Sequence, residues 1–494
     1  MKEETGIKQL IYILLIILPT FSLAAPKDEF RGAWVTAWSN GYLSPEEADE
    51  TVRLAKEANL NALFIQVRKV GDAYYNSSYE PRASNITGPA EYDPLAYIIE
   101  KAHSEGIQVH AWMNTFRIWT TRELPTDPNH IVNRYPGWLT RTADGNTKAG
   151  EGLYLDPGVQ EVQDYTFNVF MDVVKNYDID GIHFDYVRYP NSDFGYAPAA
   201  VERFNREIGR TGTPSNEDPK WKQWRRDQVT AHVRRVYKAV NDTKPGVLVS
   251  AATIPWGDCS ADFCDTTPFV KVYQDWRAWM EEGILDVNIP MNYKNESNAK
   301  NAQQYRNWLD GFKRWRYDRQ VYTGLDFNQS SGNVLRQIEA ARKRGITGMV
   351  GFSFNQTEDR LKLVQVLKYG AYSELASAPE LSWKKKAVYR LSRERYVDAM
   401  DTASIGQDLD KAIELMKDAV KLDPKFTNAY FHLGKFYARK EMYEDAIKQF
   451  EKVLAIDADY GAAKEEIEAV KIIKAQETGN REQEPISDAE TEVL

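Results

Sequence analysis

Short apolar runs alternate with longer amphipathic segments along most of this chain. From residue 30 to about residue 367, stretches rich in β-branched, aromatic and small apolar residues recur, each followed by a segment whose apolar positions return every three or four residues. The strand candidates are residues 32–37, 62–67, 108–112, 181–186, 248–253, 287–291, 320–324 and 348–352. Strand then helix, eight times over in one domain, predicts an α/β fold closed as a (β/α)8 TIM barrel rather than an open doubly wound sheet. Ser44 ahead of Pro45, Glu46 and Glu47 gives the first helix a capped start with acidic residues at its positive end. Two connections, residues 114–158 and 189–219, are long for a compact domain and are expected to wall the cleft at the C-terminal rim.

Past the barrel the composition shifts to Lys, Glu and Ala. Asp410-Lys-Ala-Ile and Glu444-Asp-Ala-Ile stand 34 residues apart, as do Leu422-Asp-Pro and Ile456-Asp-Ala, which is the tetratricopeptide period. Residues 428–437 supply the small and aromatic positions with which one such helix packs on another. The expected organisation is a leader at 1–25, a barrel at 26–372 and a linker with a flanking helix at 373–408. Helical repeats at 409–476 and a disordered acidic tail at 477–494 follow. The concave face of the repeats is expected to hold a protein partner, with Ala412, Gly434, Ala446 and Ala463 at close helix contacts.

Charge and cysteine usage narrow the compartment. A net charge of −9 supplies no basic face for nucleic acid and would repel anionic lipid. The apolar run at 10–23, ending in small residues, is too short for a comfortable span and reads as a signal h-region, so export to the periplasm or the extracellular side is expected, with no stable membrane span after cleavage. An uncleaved anchor is the alternative. Cys259 and Cys264, the two cysteines of the chain, are close enough in an exported protein to be expected as a disulfide. The six histidines show no metal-ligand spacing, and His110 and His183 read as hydrogen-bonded residues of the barrel interior. No metal or other cofactor is expected. There is no Gly-rich phosphate loop after the first strand, where Trp38, Ser39 and Asn40 stand, and no Gly-x-Ser-x-Gly elbow.

The run DGIHFDYVRYP, residues 180–190, carries the chemistry. It reads as a barrel strand delivering Asp185, Tyr186 and Arg188 to the C-terminal rim, where parallel α/β proteins place their reacting groups. Asp185 is the first catalytic candidate; pairing with Arg188 or capping of the next helix is the bland reading. As a second carboxyl group to work with it in acid–base chemistry, Glu296 is slightly favoured over Asp326, with Glu151 third. Each has a structural alternative, a helix N-terminal carboxylate for Glu296 and a loop acceptor for Asp326. Arg68, Asn114, Arg117, Tyr186, Arg188, Asn292, Tyr293 and Asn355 follow strands and are candidate substrate grips, Arg68 or Arg188 for a carboxylate. Trp38, Trp112, Trp119 and Trp256 are candidate stacking platforms for sugar faces, or core.

Taken together, EFRGAWVTAW from Glu29, NLNALFIQVR to Arg68, IQVHAWMNTFR to Arg117, the 180–190 run and GMVGFSFN to Asn355 resemble the glycosyl hydrolase-like family 10 domain over residues 30–367. The resemblance implies a barrel glycosidase of the bacterial envelope, at least some relatives acting on peptidoglycan glycan strands. The reading is a glycoside hydrolase for an amino-sugar cell-wall glycan, with an envelope protein as a partner of the repeats. Two rivals stand beside it: a glycan-binding scaffold that does not cut, and a hydrolase of an extracellular polysaccharide.

Overall fold

The computed structural model describes residues 26–120, 123–385, 387–404, 408–458 and 460–481; the expected leader and the end of the tail lie outside them. The described residues form eleven strands: β1 (Phe30–Val35), β2 (Ala62–Arg68), β3 (Gln108–Asn114), β4 (Arg117–Trp119), β5 (Leu153–Tyr154), β6 (Gly181–Asp185), β7 (Leu248–Thr253), β8 (Val287–Pro290), β9 (Gln320–Val321), β10 (Thr323–Asp326) and β11 (Gly348–Phe352). All but β4 and β5 form one parallel sheet in the order β10-β11-β1-β2-β3-β6-β7-β8-β9. β9 and β10 are two halves of one strand interrupted at Tyr322, the first pairing with β8 and the second with β11, so the sheet closes on itself as a TIM barrel. Across the break, the Tyr322 N–H still donates to the Asn288 carbonyl at 2.9 Å. The eight predicted strands are all present, the seventh in these two pieces. β4 and β5 make a small antiparallel hairpin inside the long connection after β3.

Alternation along each strand divides the core in two. One set of side chains faces the helices, while Phe30, Trp34, Phe64, Trp112, Ile289, Tyr322 and Val350 fill the barrel. His183 is tied inside it, its Nε2 accepting from the Trp34 indole at 3.1 Å and its Nδ1 lying 2.8 Å from Ser250 Oγ. Burial holds its imidazole neutral, well below the usual range. His110 stacks on Phe64 with centroids 4.5 Å apart, above Gly181, where an added Cβ would come within 2.0 Å of the ring. Gly181 is thus a glycine because an imidazole occupies the place of its side chain.

A strap after the last barrel helix seals the opposite end. Ser377 pairs with the segment before β1, accepting from the Glu29 N–H and donating to the Lys27 carbonyl, both at 2.9 Å. Leu381 then joins the interior cluster from below. Asp286, fully buried before β8, accepts from the Trp383 indole at 2.8 Å and pairs with Lys384 at 2.7 Å.

Five helices follow: Ala387–Ser404, Leu409–Leu422, Thr427–Arg439, Tyr443–Ile456 and Gly461–Arg481, the last continuing into the segment expected as tail. Ala412, Ala446 and Ala463 are fully buried, and a Cβ on Gly434 would meet the Phe450 ring at 2.6 Å, so the small residues do stand at close contacts. The alternate helices present one face to the barrel base. Tyr396 and Asn428 donate to the Glu281 carbonyl at 3.1 and 2.8 Å, and Lys435 pairs with the Glu281 carboxylate at 3.0 Å. Phe431 and Tyr460 flank Tyr317, while Arg316 pairs with Asp457 at 2.6 Å. This inner face, expected to be open to a partner, is covered by the protein's own barrel.

Candidate active site

Asp185 ends β6 at the C-terminal rim and is only 5% exposed. Its Oδ2 accepts from the Trp112 indole at 3.0 Å, and its Oδ1 from the Tyr186 N–H at 2.7 Å. Tyr186 itself adopts a left-handed backbone with φ of 50°, a strained conformation for an aromatic residue. Burial outweighs these donors and Arg188, pushing Asp185 up to about 6. At pH 7 about a tenth of the molecules then still carry this proton, far more than for an ordinary carboxyl group, and can give it away.

The turn also aims the Tyr186 ring between two guanidinium groups. Arg117 and Arg188 lie 5.1 and 5.0 Å from its centroid, and Arg188 lies 5.3 Å from the ring of Trp256, which is 40% exposed. Arg188 pairs with Glu151 at 2.8 Å, and the Tyr154 hydroxyl donates to the same carboxylate at 2.5 Å. Burial alone would raise Glu151, but Arg188 and the Tyr154 hydroxyl hold it below the usual carboxylate range. Across the mouth, Tyr293 stacks on Phe352 at 5.5 Å. Its hydroxyl is pushed well above the phenol range by burial first and then by the charges of Asp185 and Asp326. Asp326 ends β10 at the same rim, its Oδ1 accepting from the Asn328 N–H at 2.9 Å.

Several expected site residues are spent elsewhere. Glu296, the favoured second carboxylate, is buried against Arg306 at 2.6 Å, which balances its charge within the loop. Arg68 is fully buried, its guanidinium shared between Glu80 at 2.6 Å and the Thr115 carbonyl at 2.8 Å, so it locks the loops after β2 and β3. Asn114 donates to the Lys69 carbonyl at 2.6 Å, Asn292 to the Tyr305 carbonyl at 3.2 Å, and both are closed to solvent. Asn355 clamps Thr36 through its N–H at 3.0 Å and its carbonyl at 2.8 Å, fixing the end of β1. The cysteines are unbridged: Cys259 packs toward Gly311 and burial pushes its thiol up to about 11, whereas Cys264 is exposed. Trp112 serves Asp185 as a donor rather than offering a free stacking face. Its position one strand before Asp185 in the sheet was the available signal. Among the described residues no cluster of His, Cys, Asp or Glu could hold a metal.

Residues 29–338 match the glycosyl hydrolase-like 10 family, and residues 406–467 a tetratricopeptide repeat. The chain belongs to the glycosyl hydrolase-like 10 family. As a member of that family with a TIM barrel, it is a glycosidase. It is similar to the glycosyl hydrolase YngK of Bacillus subtilis, with 28% identity over 75% of this chain and 79% of that one. It is likewise similar to the glycosyl hydrolase DigH of Escherichia coli K12, with 30% identity over 54% of this chain and 62% of that one. In fold it resembles the glycoside hydrolase domain of PgaB from Bordetella bronchiseptica, with a TM-score of 0.53 at 14% identity, covering 69% of this chain and 99% of that one. No helix among the described residues is long and apolar enough to cross a membrane.

Proposed function

We propose that this family 10-like glycosidase cleaves an amino-sugar glycan of the cell wall, the peptidoglycan strand, outside the cytoplasm, with Asp185 as general acid and Asp326 as the second carboxylate. The observation that carries the pairing is Tyr293, a buried phenol at the rim that feels the charge of both Asp185 and Asp326. Glu296 has no such connection, being neutralised by Arg306. In this reading the Asp185 proton passes to the glycosidic oxygen as its bond to the anomeric carbon breaks. Asp326 attacks that carbon or takes a proton from the water that does. Arg188, Arg117, Tyr186 and Trp256 form the sugar-facing wall, with Glu151 holding Arg188 in place.

Glu151 gives a second reading, because its carboxylate is held ionised and its side chain is 41% exposed. Release of reducing ends from peptide-free glycan strands tests both. Asp185→Asn should abolish release while leaving binding, and Asp326→Asn should do the same. If Glu151→Gln abolishes turnover and Asp326→Asn does not, Glu151 takes the role. Absence of release by the unaltered protein from these strands and from a panel of soluble polysaccharides would favour a glycan-binding scaffold. The repeats are proposed to brace the barrel base, any envelope partner meeting them on their outer side.

A further inference from the structure

Lys69 is a cation that the fold keeps poorly paired at the rim. It follows β2, and Asn114 fixes its backbone by donating to its carbonyl at 2.6 Å. Its ammonium group lies 4.6 Å from the ring of Trp38 and 5.2 Å from that of Tyr74, and the residue is 7% exposed. An ammonium group has three protons to place. Here it finds one long bond, to Asn85 Oδ1 at 3.4 Å, and one carboxylate oxygen, of Asp72, at 4.0 Å. Asp72 spends its other oxygen on the N–H groups of Val70 and Lys69, at 2.8 and 3.3 Å. The Asn85 oxygen is already taken by the Tyr74 hydroxyl at 2.6 Å. Burial pulls the Lys69 pKa below its ordinary value, against the attraction of Asp72, which shows how incompletely that charge is answered.

Beside this cation stands an open indole. Trp38 follows β1 and is 49% exposed, and its backbone is pinned by the Thr36 hydroxyl at 3.2 Å. The adjoining Ala37 N–H donates to Gln66 at 3.0 Å, so the platform is anchored to both β1 and β2. In the sheet β2 neighbours β3, which carries Trp112, and β3 neighbours β6, which carries Asp185. Two strand spacings, roughly 10 Å between backbones, separate the strand end that carries Lys69 from the one that carries the acid, which puts Trp38 and Lys69 beside the cleaved bond rather than at it.

We propose that Trp38 and Lys69 form a subsite for a carboxylate-bearing sugar, the indole stacking on the ring and the ammonium group pairing with its carboxylate. The inference rests on the glycosidase reading above and adds to it the charge of the sugar bound beyond the cleavage point. A lactyl ether on an amino sugar and a uronic acid both supply this chemistry.

The test is calorimetric binding in the Asp185→Asn background, where no turnover intervenes. The probes are peptide-free peptidoglycan strands, the same strands with their carboxylates converted to methylamides, and an oligosaccharide alternating a uronic acid with an amino sugar. The untreated strands should bind about tenfold more tightly than the amidated ones. Lys69→Gln should erase that difference by weakening the untreated strands alone. Trp38→Ala should weaken both strands alike. Tighter binding of the uronate oligosaccharide than of the strands would assign the site to uronic acids. Equal affinity for untreated and amidated strands, or a parallel loss on both in Lys69→Gln, would overturn the carboxylate subsite while leaving the glycosidase reading intact. Binding of none of the three probes would instead bring down the glycan reading on which it rests. The comparison of untreated with amidated strands needs no substitution at Lys69, so it decides the matter even if that variant does not fold.

Discussion

The two ends of the barrel are built from the same kinds of residue and do opposite things. At the C-terminal rim, Arg188 pairs with Glu151 between the rings of Tyr186 and Trp256, and 41% of the Glu151 side chain stays open. At the base, Lys384 pairs with Asp286 beside Trp383 and Tyr237, and neither charged side chain is more than 4% exposed. Asp286 is answered on every side, by the Val249 N–H at 2.8 Å, by Trp383 and by Lys384. Asp185 is buried almost as deeply, yet it has two neutral donors and no ion pair. A buried carboxylate with a full set of partners holds the molecule together, whereas one left short of them keeps a proton within reach.

That contrast is sharpest in activity. Asp185→Asn should cost about 10³-fold or more in turnover with substrate binding retained, because an amide has no proton of the right acidity to give. In the unaltered protein, turnover should decline as pH rises through about 6, since the protonated Asp185 is the working form. A rate that instead rises through that pH would make Asp185 the base. Next in size is Asp286→Ala, which strands Lys384 in the base and should lower the unfolding free energy by about 3 kcal/mol, read by urea denaturation, with kcat per folded molecule unchanged.

Removing the buried carboxylate at the rim should act in the other direction. The folded pKa of Asp185 lies above the ordinary 3.8, so its ionisation opposes folding: the penalty is absent well below 3.8, grows between there and about 6, and is complete above. At pH 7 it amounts to roughly 3 kcal/mol as an upper figure. Asp185→Asn should therefore be more stable than the parent at pH 7, and the gain should vanish near pH 3. Asn428→Ala removes bonds to the carbonyls of Met280 and Glu281 and to the Tyr460 hydroxyl. It should cost about 2 kcal/mol and leave activity on short soluble glycans untouched. Smallest of all, Cys264→Ser should move stability by less than about 0.5 kcal/mol, and non-reduced protein should show both thiols open to alkylation after unfolding.

What could be read from the sequence follows from what is local. The eight strands and the repeat period are written in patterns a few residues long, and Asp185 stands out because it ends an apolar run. The broken strand at Tyr322 left no such mark, since residues 320–324 read as one continuous strand. Arg68 looked like a grip because it follows a strand; its partner Glu80 lies in a loop whose path is set only by the folded barrel. Asn355 and Asn292 misled for the same reason, as side chains at strand ends serve the turns as often as the cleft. The Cys259–Cys264 bridge was inferred from separation in sequence, while the packing of Cys259 toward Gly311 depends on a helix some fifty residues later. The repeats were recognisable by their period, but which of their faces is free depends on the barrel they meet.

The strap at the base also sets an order of events. Glu29 donates to the Ser377 carbonyl, and Arg31 donates to the Glu374 carbonyl at 2.5 Å across 343 residues of chain. The first strand therefore acquires its lower boundary from residues synthesised long after it. Loop-closure entropy must be met before such a contact gives anything back, so the earliest part of the chain is completed last. A polypeptide whose first strand waits for so distant a partner cannot close the base of its barrel until residue 377 has been made.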